Sequence, residues 1–311
     1  MHSAASVCSG LAPTVVRMEQ QEVRRRVVAW YAEHARELAW RVTGTSAWGV
    51  LLSEVMSQQT PVARVEPVWR EWLARWPTPA DLAAADPAEV LRAWGRLGYP
   101  RRALRLREAA EVMAAEGNRV PDDEARLLAL PGIGRYTAAA VMSFAFRRRA
   151  LVLDTNIRRV FARLVGGQEF PPRSETTEER RRAEEWLPED DDAAAAWCEA
   201  VMELGALVCT ARSPDCGACP VAPGCAWLAA GSPAWDGPQR RGQAWAGTDR
   251  QCRGRIMGAL RTSPDGVLLT DVVWPDDVQL ARCVASLIDD GLAHRIEDRL
   301  RLGPPRVMSC E

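Results

Sequence analysis

Apolar residues recur at three- and four-residue spacing from residue 19 to about residue 208, and alternation of the strand type is scarce over the same span, so this part of the chain reads as helical. In "WGVLLSEVMSQQT" (48–60), Trp48, Leu51, Leu52 and Val55 form one apolar stripe, and Glu54 and Gln58 share its flank. The same pattern predicts helices over 68–76, 87–95, 103–115 and 125–130, punctuated by Pro77, Pro79, Pro87, Gly95, Gly98, Pro100, Gly117 and Pro121. Residues 229–248, rich in Gly, Pro and Ala, read as a linker. Beyond it, 249–305 reads as a small module of its own. It has a helix over 249–261, a short segment at 270–274, a helix over 276–290 ended by Gly291, and two strands meeting near Glu297 and Asp298. Helices closed by a hairpin suggest a winged-helix-like unit, so the predicted class is all-α with a small winged-helix-like C-terminal module.

Length and composition narrow the classes. A chain of 311 residues buries a substantial core and is expected to form two domains, one of them divided. No apolar run approaches the roughly 20 residues of a membrane-spanning helix. Residues 1–18 lack the pattern of a signal peptide and read as a tail, with Met18 an alternative start. The expectation is a cytoplasmic, nucleoid-associated monomer with no membrane partner. Nine cysteines without a secretory signal argue for free thiols and a metal site rather than a disulfide framework. The net charge of −1 hides an asymmetry: residues 92–163 hold 15 Arg against 7 acids, and residues 171–203 hold 11 acids against 4 Arg. A cationic face is the usual footprint of a phosphate backbone, with solvated helix faces as the plain alternative. All 40 basic residues are arginine, and the chain contains no lysine.

Three motifs carry chemistry. In "LPGIG" (130–134), Gly132 and Gly134 permit a tight turn that presents backbone N–H groups to an anion at the start of the next helix. With a helical segment on each side, this is a helix-hairpin-helix pattern over 122–146, suited to gripping one DNA phosphate without reading sequence. In "LVLDTNIRRV" (151–160), Asp154 follows an apolar run and precedes Asn156 and Arg158; it reads either as a functional carboxylate or as a helix cap. Glu54 likewise reads as a functional acid or as an ordinary flanking one. Finally, Cys209, Cys216, Cys219 and Cys225 are spaced Cys-X6-Cys-X2-Cys-X5-Cys. Zinc sites usually pair two close knuckles across a longer gap, whereas one compact loop suits a 4Fe-4S cluster better. Cys8, Cys198, Cys252, Cys283 and Cys310 read as packing or surface thiols.

Taken together, "LSEVMSQQTPV", "LGYPRRALRL", "LPGIGRYTA", "LDTNIRRV", "MELGALVC" and the cysteine loop resemble the iron-sulfur branch of the helix-hairpin-helix DNA glycosylases, most closely the adenine DNA glycosylases of the MutY type. The resemblance covers residues 19–228. It implies a six-helix barrel over about 45–150, a cluster domain from 19–44 and 151–228, one 4Fe-4S cluster on the four cysteines, and double-stranded DNA with a mispaired adenine as partner, the target base being flipped out. By motif, Glu54 protonates the adenine, Asp154 stabilises the cationic sugar, and Tyr136 and Asn156 support the pocket. Trp40 and Arg41, preceded by Ala39 where the family usually has proline, recognise the adenine with Glu203. Gln59, Thr60 and Tyr99 fill or wedge the base stack; Gly132, Gly134 and Arg158 serve the backbone.

Relatives that also cut the strand use a lysine amine in place of Tyr136, and no lysine exists here, which implies a monofunctional hydrolase acting on A opposite 8-oxoguanine or G. A thymine glycosylase acting on T opposite G and a non-catalytic iron-sulfur DNA-binding protein are the alternatives. One departure stands out: the family usually ends in a larger Nudix-like domain that inspects 8-oxoguanine, and the short segment after residue 248 has no such pattern.

Overall fold

A computed structural model describes residues 18–238 and 245–305. The tail expected over 1–17, part of the linker, Cys8 and Cys310 lie outside the described residues. In chain order the helices are α1 (Gln20–His34), α2 (Ala47–Ser57), α3 (Val62–Arg75), α4 (Pro79–Ala84), α5 (Pro87–Trp94), α6 (Arg101–Ala115), α7 (Glu124–Ala129) and α8 (Arg135–Phe144). They continue with α9 (Thr155–Leu164), α10 (Thr177–Glu185), α11 (Asp191–Leu207), the single turn α12 (Ala226–Ala229), α13 (Asp249–Thr262) and α14 (Asp277–Asp289). Three short strands, β1 (Val267–Leu268), β2 (Ala293–Ile296) and β3 (Arg299–Leu302), complete the described elements. Helix starts follow side-chain chemistry: Ser46, Thr78, Asp86, Asp123, Asp154, Thr176, Asp190, Thr248 and Asp276 each accept a bond from a first-turn N–H. No described helix is long and apolar enough to cross a membrane.

The chain divides into two compact units. The hairpin unit holds Leu38–Phe146 and Gln239–Glu311; the cysteine unit holds Met1–Glu37 and Arg147–Pro238. In the hairpin unit, α2 is buried on every side from Trp48 to Met56 and packs against α3 and α8. An all-round buried helix at the centre explains why its pattern reads as continuously apolar. Trp72 lies edge-on to Trp76 at 4.8 Å and to Trp94 at 5.5 Å. The buried indole N–H groups of Trp48, Trp69 and Trp94 donate to the carbonyls of Trp76, Gly49 and Gly98, which removes the cost of burying them.

Residues 249–305, read from the sequence as a module of their own, share this core. Cys252, Ile256, Met257 and Leu260 of α13 belong to the same buried apolar cluster as Trp94 and Leu97. Arg261 donates to the Leu91 carbonyl at 3.3 Å, and Gly303 (φ 82°) leaves a Cβ no more than 3.2 Å from the Ala88 nitrogen, so the module and α5 meet closely. The sheet order is β1-β3-β2, antiparallel throughout, with Val267 opposite Leu300 and Ala293 opposite Leu302. Two helices and this small sheet with its β2–β3 hairpin are the winged-helix-like arrangement. β1 was absent from the sequence reading because two residues carry no alternation.

In the cysteine unit, α11 packs against α1 and α9. Gly205 of α11 allows the approach to α9: a Cβ there would sit 2.8 Å from Asn156 Cβ and 2.9 Å from its carbonyl oxygen. Phe161, Trp186 and Trp197 form an aromatic cluster on the other side of α9. The charge asymmetry of the sequence resolves partly as internal pairing. Arg147, Arg148 and Arg149 reach Asp192, Asp191 and Glu184 within this unit, so these cations are partly neutralised by acids at the surface.

Candidate active site

Glu54 lies in the last turns of α2 and is buried. The Tyr136 hydroxyl, from the first turn of α8, donates to Glu54 Oε2 at 2.7 Å. Two residues 82 positions apart are thus brought together because α2 and α8 pack side by side in the hairpin unit. The hydroxyl fixes where this carboxyl sits. Gln58, one turn further, donates to the Thr137 hydroxyl at 3.2 Å and ties the same two helices.

The turn before α8 has the expected glycine chemistry. Gly132 is left-handed (φ 76°), and a Cβ there would lie 2.7 Å from Arg105 Cβ, so both its conformation and its neighbour exclude a side chain. Gly134 caps α8 with no side-chain bond and has nothing within 4 Å of where a Cβ would be. The first turn of α8 carries no acid. Its N–H groups therefore open without obstruction toward an anion.

Asp154 is the N-cap of α9: its Oδ1 accepts from the Ile157 N–H at 2.6 Å and its Oδ2 from the Asn156 amide at 2.8 Å. The helix-cap reading and the functional reading of this residue therefore describe one geometry. Burial raises the Asp154 carboxyl above the ordinary aspartate value, opposed by the Ile157 and Asn156 hydrogen bonds and by the charge of Arg159. Arg159 fixes this group from behind. It donates to Asn156 Oδ1 at 2.7 Å, to the Gly205 carbonyl at 2.6 Å and to the Cys209 carbonyl at 2.7 Å.

Cys209, Cys216, Cys219 and Cys225 surround the end of α11 and the turn before α12. Burial pushes the Cys219 thiol up to about 12 and raises Cys216 and Cys225, with the neighbouring cysteines adding to each shift. Four thiols drawn from one compact loop suit one multi-iron cluster. Arg163, almost fully buried, donates to Cys209 Sγ at 3.3 Å and to the Thr210 carbonyl at 2.7 Å, and lies over the Trp227 ring at 4.9 Å.

The remaining residues singled out from the sequence fall into two groups. Trp40 and Arg41 sit half-buried in a 3₁₀ turn (Ala39–Arg41) that packs on α2, with Trp40 edge-on to Trp69 at 5.9 Å. Gln59 and Tyr99 are exposed on loops and both are left-handed, at φ 53° and 45°. Thr60, Arg158 and Glu203 are engaged in structure. The buried Thr60 hydroxyl donates to the Leu97 carbonyl at 2.9 Å, and both Arg158 and Glu203 are in ion pairs. Arg158 makes a two-point pair with Glu179 and bonds the Pro172 carbonyl within the cysteine unit. Glu203 is fully buried, and both its oxygens accept from Arg36, which anchors the segment after α1.

Three arginines went unnoticed in the sequence. Arg159 and Arg163 stand four apart in "NIRRVFARL", on the α9 face toward the cysteines, and that spacing is a usable signal. Arg102 holds the carbonyls of Val55, Gln58, Leu97 and Gly98 together, and its single position gave none.

Residues 52–189 match the HhH-GPD superfamily of base excision DNA repair proteins, and residues 209–225 match the iron-sulfur binding domain of endonuclease III. The first match contains Glu54, the hairpin, Tyr136 and Asp154; the second begins and ends on Cys209 and Cys225. An adenine DNA glycosylase of Mycobacterium tuberculosis is 49% identical over 276 residues, covering 88% of this chain and 90% of that protein. The solved structure of a thermostable thymine-DNA glycosylase superposes with a TM-score of 0.62 at 25% identity, over 67% of this chain and 95% of its own. Endonuclease III in a non-covalent complex with DNA gives 0.57 at 25% identity, over 68% and 96%.

Proposed function

Because the chain belongs to the adenine DNA glycosylase family, we propose that it hydrolyses the N-glycosidic bond of adenine mispaired with 8-oxoguanine or guanine in double-stranded DNA. It leaves an abasic site and does not cut the strand. The observation that carries this reading is the Tyr136–Glu54 hydrogen bond of 2.7 Å in a chain without lysine. Glu54 holds the proton that makes adenine a leaving group, and the Tyr136 hydroxyl orients it. Asp154, fixed by Ile157, Asn156 and through Asn156 by Arg159, supplies the negative charge that steadies the cationic sugar. One carboxyl must keep a proton while the other stays charged; burial works against the charge of Asp154, and the Ile157 and Asn156 hydrogen bonds and the charge of Arg159 work for it. The open N–H groups at the start of α8 suit a DNA phosphate.

Strand cleavage through a Schiff base needs a side-chain amine, and the position after Arg135 offers a phenol. The four cysteines would hold one 4Fe-4S cluster, which supplies a rigid cross-link of the loop; the glycosylase reaction itself needs no electron. The enzyme acts as a monomer, in the cytoplasm on the nucleoid where its substrate lies. Thymine release opposite G is the second reading, favoured by the same tyrosine. Base release from duplexes carrying A opposite 8-oxoguanine, G or C, and T opposite G, read with and without alkali, separates them. Breaks at adenine only after alkali support the proposal. Breaks at thymine favour the second reading, and breaks without alkali overturn the monofunctional assignment.

A further inference from the structure

Within the hairpin unit a groove of about 1680 Å³ runs between Gln59 with the loop 95–101 on one wall and residues 245–292 of the C-terminal module on the other. Tyr99 and Trp245, both about half exposed, stand in it. The Arg250 guanidinium lies over both rings, 5.4 Å from the Tyr99 centroid and 5.3 Å from that of Trp245. The Tyr99 wall is firmly held. Its carbonyl accepts from the Arg102 N–H, and Arg102 also binds the carbonyls of Leu97 and Gly98 on the same loop. The left-handed backbone of Gln59 and Tyr99, which L side chains rarely adopt, projects two side chains into this groove.

The arginines of the groove differ in what they touch. Arg101 and Arg253 are paired with Asp290 at 3.1 and 2.6 Å, and Arg261 donates to the Leu91 carbonyl. Arg64, Arg96, Arg255 and Arg250 carry no ion pair among the described residues, and of these four Arg250 is the one that lies over aromatic rings. It is an exposed fork of donors held between two rings, open to an acceptor from outside the protein. A guanidinium so placed makes two parallel bonds to a pair of neighbouring acceptors, and the exposed rings beside it offer stacking surface to a base.

We propose that Arg250 is a DNA-contacting residue, a guanidinium clamped by Tyr99 and Trp245 that donates two hydrogen bonds to a paired acceptor on DNA. The acceptor is the O6 and N7 edge of a guanine or two oxygens of one phosphate. The inference rests on the reading of the chain as a DNA glycosylase and gives its small C-terminal module a part in binding the substrate.

The test compares the full chain with Arg250→Ala, Arg250→Lys and Trp245→Ala. Affinity for duplexes carrying A opposite G and A opposite C is measured by fluorescence anisotropy across a salt series, beside single-turnover adenine release. Arg250→Ala weakens binding about tenfold or more. If guanine is the acceptor, the loss falls on the duplex with G opposite and spares the one with C, and lysine, lacking the fork, does not rescue it. If phosphate is the acceptor, both duplexes lose equally, the slope of log affinity against log salt drops by about 1, and lysine restores most of the binding. Trp245→Ala gives the same pattern at smaller size. Arg250→Ala binding both duplexes within twofold of wild type, at an unchanged salt slope, would overturn the proposal. Wild type that binds these duplexes and releases no adenine would instead overturn the enzymatic reading, leaving the Arg250 result readable from affinity alone.

Discussion

The two carboxyl groups assigned to catalysis are held in opposite ways. Asp154 is fixed locally: every hydrogen bond to its oxygens comes from residues two or three positions along the chain. Glu54 meets a hydroxyl 82 residues away, and that contact exists only because α2 and α8 pack together. The difference is that the hydrogen bonds of a cap are supplied by the next turn of the chain, with Arg159 set against the burial that disfavours its charge, whereas the partner of Glu54 has to be supplied by tertiary structure. The supporting residues differ likewise. Asn156 and Arg159 link Asp154 to the backbone of Cys209, so the cysteine loop stands behind one carboxyl; Tyr136, from a neighbouring helix, donates to the other.

Substitutions break this comparison in graded steps. Glu54→Gln keeps shape and removes the transferable proton, so single-turnover adenine release falls about 10²–10⁴-fold. Asp154→Asn lowers release about 10²–10³-fold by removing the charge. Because Asn caps a helix as well as Asp, its thermal stability stays within a few tenths of a kcal/mol of wild type near neutral pH apart from relief of carboxylate burial. A larger fall in melting temperature would show that the cap, not the charge, had been lost.

The pH dependence follows from the burial of Asp154. A carboxyl raised above its unfolded value binds its proton more tightly in the folded state. That contribution to stability is present at pH below the ordinary aspartate range and is lost as pH rises through the raised value. The catalytic carboxylate forms over the same interval, so the acid limb of the rate profile lies above the ordinary value of 3.8. Rate profiles and unfolding curves of wild type and Asp154→Asn check both. The variant loses the stability slope in that interval.

Gly205→Ala forces a methyl group against Asn156 and costs about 1–3 kcal/mol, measured by urea unfolding; activity falls with it because Asn156 carries Asp154. The smallest effect is expected for Tyr136→Phe, which removes one hydrogen bond to Glu54, about 1 kcal/mol or a few-fold in rate. A loss as large as that of Glu54→Gln would mean that Tyr136 moves the proton itself.

How much of this was legible follows the same division. Asp154 before a helix, the Gly132 turn and the four cysteines are local patterns, and each is visible in a run of fewer than twenty residues. The Glu54–Tyr136 contact is not, since nothing in "SEVMSQQ" or "GRYTA" specifies which helices meet. Glu203 is similar: its motif is local, but its full burial beside Arg36 is a tertiary fact that no spacing encodes. The arginine excess over 92–163 also misled in part, because Arg147–Arg149 find acids 35 to 45 residues further on. Residues 249–305 formed the helices and hairpin that the pattern predicts, while Ile256, Met257 and Leu260 belong to one apolar cluster with Trp94 and Leu97, which that pattern does not specify.

The central claim is that two carboxyls with different surroundings release adenine together. The most direct test is free-adenine release from a duplex with A opposite G, under single turnover, by wild type, Glu54→Gln and Asp154→Asn prepared with the iron-sulfur absorbance near roughly 400 nm intact. The account predicts adenine from wild type and at least about a hundredfold less from each variant. Adenine release by Asp154→Asn at the wild-type rate would contradict it.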